Sequence, residues 1–163
     1  MFEAETLTLA QLVLDACRAR NWRLATAESC TGGLIAAALT AIAGSSEVVE
    51  RGFVAYSNQA KSELLGVAPE TIAVHGSVSA EIAAAMAQGA LARAPVDLAL
   101  SVTGIAGPGG ATPAKPVGMV VFGVARRIGS CRTEQCIFPG DRNGVRQAAL
   151  EMALRLLDAE ARS

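Results

Sequence analysis

The sequence predicts an α/β protein of three layers, a mixed sheet covered by helices on both faces, in a single domain over residues 1–163. Hydrophobic residues make up 52% of the chain but aromatics only 4%, so small side chains must pack closely between helices and a sheet. Twice a short apolar run reads as a buried strand and empties into a glycine-rich loop, at 22–33 and at 96–110. The order α-β-α-β-α-α-β-β-β-α then implies a mixed sheet, with the two glycine-rich loops meeting beyond the strand ends. A chain of 163 residues is long enough to bury one continuous core without disulfide or metal staples.

From Thr8 to Arg20, Leu9, Leu12, Val13, Ala16 and Cys17 share one helical face, and Asn21 can close the helix. Residues 22–28 (WRLATAE) read as a strand that runs through Ser29-Cys30-Thr31-Gly32-Gly33 into an apolar helix over 34–43. A second strand is expected over 51–57, followed by a short helix capped by Asn58 and carrying Lys61. Residues 74–78 read as a connection. Ser79 then caps an Ala-rich helix to about Arg93, with Glu81 favoured in its first turn. The strand at 96–102 delivers the loop Thr103-Gly104-Ile105-Ala106-Gly107-Pro108-Gly109-Gly110, residues 117–125 and 131–138 form an antiparallel pair, and Asp141 caps a last helix with Val145, Ala149, Met152 and Leu156 at core spacing.

Fourteen Lys and Arg face fifteen Asp and Glu, a net charge of −1, which disfavours a nucleic-acid partner. The four cysteines, Cys17, Cys30, Cys131 and Cys136, form no CxxC pair and no disulfide-dense pattern, as expected of reduced thiols in the cytoplasm. The acidic start MFEAETLTLAQLVLDA lacks the basic region and apolar core of a secretory leader, and no apolar run approaches the roughly 20 residues of a membrane span.

At residues 28–33 a hydroxyl and a thiol sit where a strand yields to a helix, and the helix amides there can face an anion. The motif is not GxSxG, and Ser29 or Thr31 serves equally well as a simple N-cap. A serine nucleophile needs a base. The one histidine, His75, lies in a loop away from these motifs. Lysine is the alternative, since burial lowers its pKa, and of the two lysines Lys61 lies near Tyr56 and Asn58, although a solvated helix lysine is the plainer reading. The loop over 103–110 is neither GxxxxGK[ST] nor GxGxxG, but four glycines in eight residues let its amides form a nest for a phosphate or an oxyanion. Arg142, just after Asp141, can hold a phosphate beside that loop or lie on the surface.

Taken together, AESCTGG at 27–33, Tyr56-Ser57-Asn58 followed by Lys61, Gly66-Val67, GSVS at 76–79, TGIAGPGG at 103–110, KPVG at 115–118 and FPGDR at 138–142 resemble the C-terminal domain of the competence/damage-inducible protein CinA over nearly the whole chain. The family includes stand-alone nicotinamide-nucleotide amidohydrolases. The resemblance therefore implies conversion of nicotinamide mononucleotide, a small pyridine nucleotide, to nicotinic acid mononucleotide and ammonia, without metal or cofactor. It makes Ser29 the nucleophile, Lys61 its base and Tyr56 a phenol that assists proton transfer or orients the lysine. It places Thr103 and Gly104 at the reacting centre, the amides near Cys30, Thr31 and Gly32 in the oxyanion hole, and the substrate phosphate on Arg142 beside Gly107. A homo-oligomer is expected, as is a stand-alone domain without the nucleotide-binding domain that precedes this one in longer members. Two residues depart from the family pattern, Ser77 where Ala is common and Met119 where Thr is common. Two rivals stay open: a Cys30-dependent amidase, and a non-catalytic nucleotide-binding or competence-associated module.

Overall fold

Five strands lie in one sheet in the order β2-β1-β3-β4-β5 in a computed structural model that describes residues 1–163. Strands β1 (Leu24–Glu28), β2 (Val49–Val54) and β3 (Leu98–Gly104) are parallel, while β4 (Met119–Arg126) and β5 (Cys131–Ile137) continue the sheet antiparallel. Helices α1 (Ala4–Ala19), α2 (Leu34–Thr40) and α6 (Arg142–Arg162) cover one face, and α3 (Asn58–Leu65), α4 (Pro69–His75) and α5 (Ala80–Arg93) lie on the other. The expected mixed three-layer α/β arrangement is therefore present.

The period of two along each strand builds these layers. Leu98, Leu100 and Val102 of β3 and Val120, Phe122 and Val124 of β4 enter the large cluster with α1, α2 and α6. The intervening Ala27 and Ala99 meet Ile82, Met86 and Ala90 of α5, with Leu65 of α3 and Ile72 of α4 behind them. This second layer is thin because glycines let backbones touch. A side chain at Gly123 of β4 would collide with the Ala83 carbonyl of α5, and one at Gly89 of α5 with the Leu65 carbonyl of α3. Gly89→Ala, which would ordinarily stabilise a helix by about 1 kcal/mol, is therefore expected to cost roughly 1–3 kcal/mol. It should lower the melting temperature by several degrees and, by displacing the helix that carries Lys61, also reduce activity. A Gly89→Ala chain at least as stable as the parent would refute this packing.

The element boundaries shift in places. The first helix starts earlier than expected, and its inner face uses Leu14 while Leu12 is 39% exposed. Residues 41–43 fall outside α2. Ser57, not Asn58, caps α3, accepting from the Ala60 amide. Residues 69–75, expected in part as a connection, form α4, whose Pro69 stands in its first turn, where a missing N–H costs nothing. Ser79 and Asp141 cap α5 and α6 as expected, accepting from Ile82 N and Gly144 N. No helix is long and apolar enough to cross a membrane, and all four cysteines are unpaired.

Candidate active site

A pocket of about 210 Å³ opens at the C-terminal ends of the parallel strands β1 and β3, lined among others by Ser29, Cys30, Tyr56, Lys61, Thr103 and Arg142. This is the end at which open α/β sheets bind ligands. A larger depression of about 630 Å³ lies at the opposite end of β3, around Arg93, Asp97 and Arg127. It holds no nucleophile, and the Arg127 guanidinium is spent on the carbonyls of Leu91, Ala94 and Val96.

Ser29 is held by its backbone on both sides. Its N–H donates to the Val102 carbonyl at 3.0 Å, extending the β1–β3 ladder by one residue, and its carbonyl accepts from Gly32 N at 3.0 Å to close the turn. Gly33, at φ +99, then redirects the chain into α2, a backbone conformation that a side chain would strain. From α6, Arg146 donates Nε to the Cys30 carbonyl and Nη2 to the Thr31 carbonyl, each at 3.1 Å.

The start of α2 is not open to a ligand anion. Leu34 N donates to the Thr31 carbonyl, and Gly33 N, Ile35 N and Ala36 N all donate to the carboxylate of Glu28. The four N–H groups that a helix leaves unpaired are thus satisfied within the chain. Thr31 is buried, and its hydroxyl also donates to Glu28. The Gly32 amide is committed to Ser29, and the Cys30 and Thr31 amides of the turn have no oxygen acceptor in the chain. Of the three residues expected to supply oxyanion donors, Cys30 lines the pocket, whereas Thr31 is fully buried behind it and Gly32 is not in the lining.

Lys61 on α3 is 2% exposed, and its Nζ donates to Ser29 Oγ at 3.2 Å. Burial pushes its amine below the ordinary lysine range, a tendency that Cys30 partly opposes. Arg142 does not bear on the lysine; its guanidinium is turned to the Gly107 carbonyl at 2.9 Å and the Tyr56 hydroxyl at 2.8 Å. Tyr56 OH therefore meets Arg142 and not the lysine. Cys30 sits next to the nucleophile but is buried, and burial pushes its thiol up to about 11. A thiolate near neutral pH is correspondingly scarce.

The Thr103 hydroxyl donates to the Ser77 carbonyl at 2.7 Å, which leaves its oxygen as an acceptor toward the pocket. The departing residue Ser77 thus enters the site through its backbone, while Met119 packs with Val78, Ala83 and Val121 under Ile105. Gly104 belongs to the wall: a side chain there would strike Val120 and the Cys30 sulfur. Gly107 is reached only through its carbonyl. Beyond Ala106 and Arg142 a second hollow of about 490 Å³ continues over Pro108, Val117 and Asn143, so a molecule longer than the reacting pocket has room to extend. His75 is not at the site; its ring faces Glu81 at 3.5 Å, and its carbonyl accepts from Lys115 Nζ.

Two residues that hold the site were not singled out from the sequence. An acidic residue ending an otherwise apolar strand was the available signal for Glu28. Arg146 carried none beyond lying one helical turn after Arg142.

A family model described as the CinA C-terminal domain matches residues 6–161. A nicotinamide-nucleotide amidohydrolase, PncC, from Escherichia coli K12 is 48% identical over 96% of this chain and 95% of its own. A CinA-like protein of Mycolicibacterium gilvum is 56% identical over 82% of this chain but only 32% of its own, so the chain spans about a third of that longer relative. Among solved structures, a competence/damage-inducible protein from Agrobacterium tumefaciens superposes with a TM-score of 0.95 at 44% identity, covering 98% of this chain and 97% of that one.

Proposed function

This chain belongs to the CinA C-terminal domain family, and we propose that it is an amidohydrolase converting nicotinamide mononucleotide to nicotinic acid mononucleotide and ammonia, with Ser29 as nucleophile and Lys61 as base. The observation that carries the mechanism is the buried Lys61 amine within 3.2 Å of the Ser29 hydroxyl at the floor of a pocket. The likeness to PncC supports the substrate.

In the neutral state Lys61 takes the Ser29 proton as Oγ attacks the carboxamide carbon. The oxyanion is assigned to the amide of Cys30 at the pocket wall, with that of Thr31 next to it, neither of which has an oxygen acceptor in the chain. Donors fixed in a turn require little reorganisation as charge develops. Lys61 then returns its proton to the departing nitrogen, ammonia leaves, and an ester to Ser29 remains. Water, deprotonated by the same amine, cleaves that ester and restores the hydroxyl, so one amide and one water give one acid and one ammonia. The Thr103 oxygen, its proton held by Ser77, accepts from the carboxamide NH₂ and orients it. A carboxylate product offers no such donor and is released. Four unpaired thiols suit a reducing cytoplasm.

Incubation of the purified chain with nicotinamide mononucleotide is expected to release ammonia and the acid over many turnovers. Binding without turnover would instead favour the non-catalytic module. Arg142, which borders both hollows, is assigned to the substrate phosphate. Arg142→Ala should weaken the mononucleotide by roughly 1.5–3 kcal/mol relative to the riboside. Equal loss for both would place the phosphate elsewhere.

A further inference from the structure

Five donors converge on one side chain that the reaction does not consume. Glu28 ends β1 and is fully buried. Its Oε2 accepts from Thr31 Oγ1 at 2.7 Å, Gly33 N at 3.0 Å and Ile35 N at 3.1 Å, and its Oε1 from Ala36 N at 2.8 Å and Thr26 Oγ1 at 3.2 Å. A carboxylate meets such a set as a pure acceptor, whereas a carboxamide would turn an NH₂ group toward donors. The flanking residues of this clamp are the two that compete for the reaction, a hydroxyl at 29 and a thiol at 30.

A helix start next to a cysteine ordinarily favours its thiolate, and thiols are intrinsically the stronger nucleophiles. Here the amides that would exert that pull are closed onto Glu28, and a negative charge stands two residues from the sulfur. We propose that Glu28 is a positioning residue with two effects: it locks the Ser29 turn onto α2 so that the hydroxyl meets Lys61, and its charge adds to burial in disfavouring a Cys30 thiolate. The charged groups facing Cys30 are Glu28 from β1, Arg146 from α6 and Lys61 from α3. Burial does most to raise the thiol and the Glu28 charge adds to it, while the Cys30 backbone N–H and, after it, the two cations act against them.

This assignment rests on the amidohydrolase reading for its effect on rate, but its effect on the thiol does not. Glu28→Gln keeps the size of the side chain, removes its charge and sets its NH₂ against the clamp. Two readouts follow in the full chain. With nicotinamide mononucleotide, kcat should fall about 10- to 100-fold with little change in KM, as expected of a displaced reacting atom. In parallel, alkylation of Cys30 by iodoacetamide across pH, followed at the Cys30 peptide by mass spectrometry with half-buried Cys136 as internal reference, should shift its midpoint to lower pH. Near pH 8 it should run several-fold faster relative to Cys136. Because burial is the largest cause raising the thiol, a loosened clamp could also lower its midpoint; Thr31→Val, which loosens the clamp but keeps the Glu28 charge, should leave the midpoint at its parental value.

Thr31→Val removes one donor while keeping the side-chain shape. It should lower kcat several-fold in the parent and have no further effect in Glu28→Gln. Glu28→Gln with parental cooperative unfolding and either an unchanged kcat or an unmoved Cys30 midpoint would overturn the proposal; if that variant does not fold, an unchanged kcat in Thr31→Val would do so. A parent chain that releases no ammonia sinks the amidohydrolase reading alone, and the Cys30 midpoint then decides the role of Glu28.

Discussion

Ser29→Ala is expected to abolish ammonia release from nicotinamide mononucleotide, with a loss of about 1,000-fold or more in kcat, whereas Cys30→Ala keeps most of the parental rate. The two residues are adjacent, yet their surroundings differ in kind. Ser29 Oγ lies 3.2 Å from a buried amine, while the Cys30 thiol is pushed up to about 11 by burial. Initial rates of the two variants, with acyl-enzyme trapping on Ser29 by acid quench and mass spectrometry, separate the candidates. An inactive Cys30→Ala enzyme beside an active Ser29→Ala enzyme would assign the reaction to the thiol.

Lys61→Ala is expected to lose about 100- to 10,000-fold in kcat/KM, the usual contribution of a general base, and Lys61→Arg should be no better. A guanidinium keeps the charge but cannot give up its proton near neutral pH, so the conservative replacement discriminates between a base and a fixed cation. The sign of the pH dependence follows from the same side chain. Burial lowers the Lys61 pKa, and the neutral amine is the active form, so kcat/KM should rise with pH through that lowered pKa and level off above it. The limb should sit below the ordinary lysine range and vanish in Lys61→Ala. His75→Ala should retain near-parental turnover, since His75 faces Glu81 outside the pocket. Substantial activity in Lys61→Arg would end the Ser-Lys mechanism.

Much of this arrangement is legible in the sequence. The fold followed from short apolar runs, helix caps such as Ser79 and Asp141, and a composition poor in aromatics, because those features act locally. What failed was local information overridden by packing: Leu12 has the spacing of a core residue, but Leu14 takes the inner position. The helix over 69–75 is short and weakly periodic, and its position beside α5 is a tertiary fact. At the site, the motifs named Ser29 and Lys61 but not how 32 residues of separation close to a hydrogen bond. The anion-binding reading of the α2 amides was wrong, because a sequence does not reveal that Glu28 folds back to occupy them. Tyr56 could be placed near Lys61 in sequence, yet the crossing of chains gives its hydroxyl to Arg142.

The pocket draws on residues 29, 61, 103 and 142, carried by elements that the chain delivers almost end to end. Its deepest anchor, the Ser29 N–H to Val102 carbonyl bond, joins the first strand to the third. Parallel pairing of such distant segments is intrinsically slow, since loop closure is spent before contacts reward it. No early-folding fragment can therefore hold a working pocket, and the guanidinium at 142 arrives only after nearly the whole chain has been synthesised. Recovery of turnover after dilution from denaturant thus reports the joining of all these elements, α6 included, rather than the appearance of secondary structure.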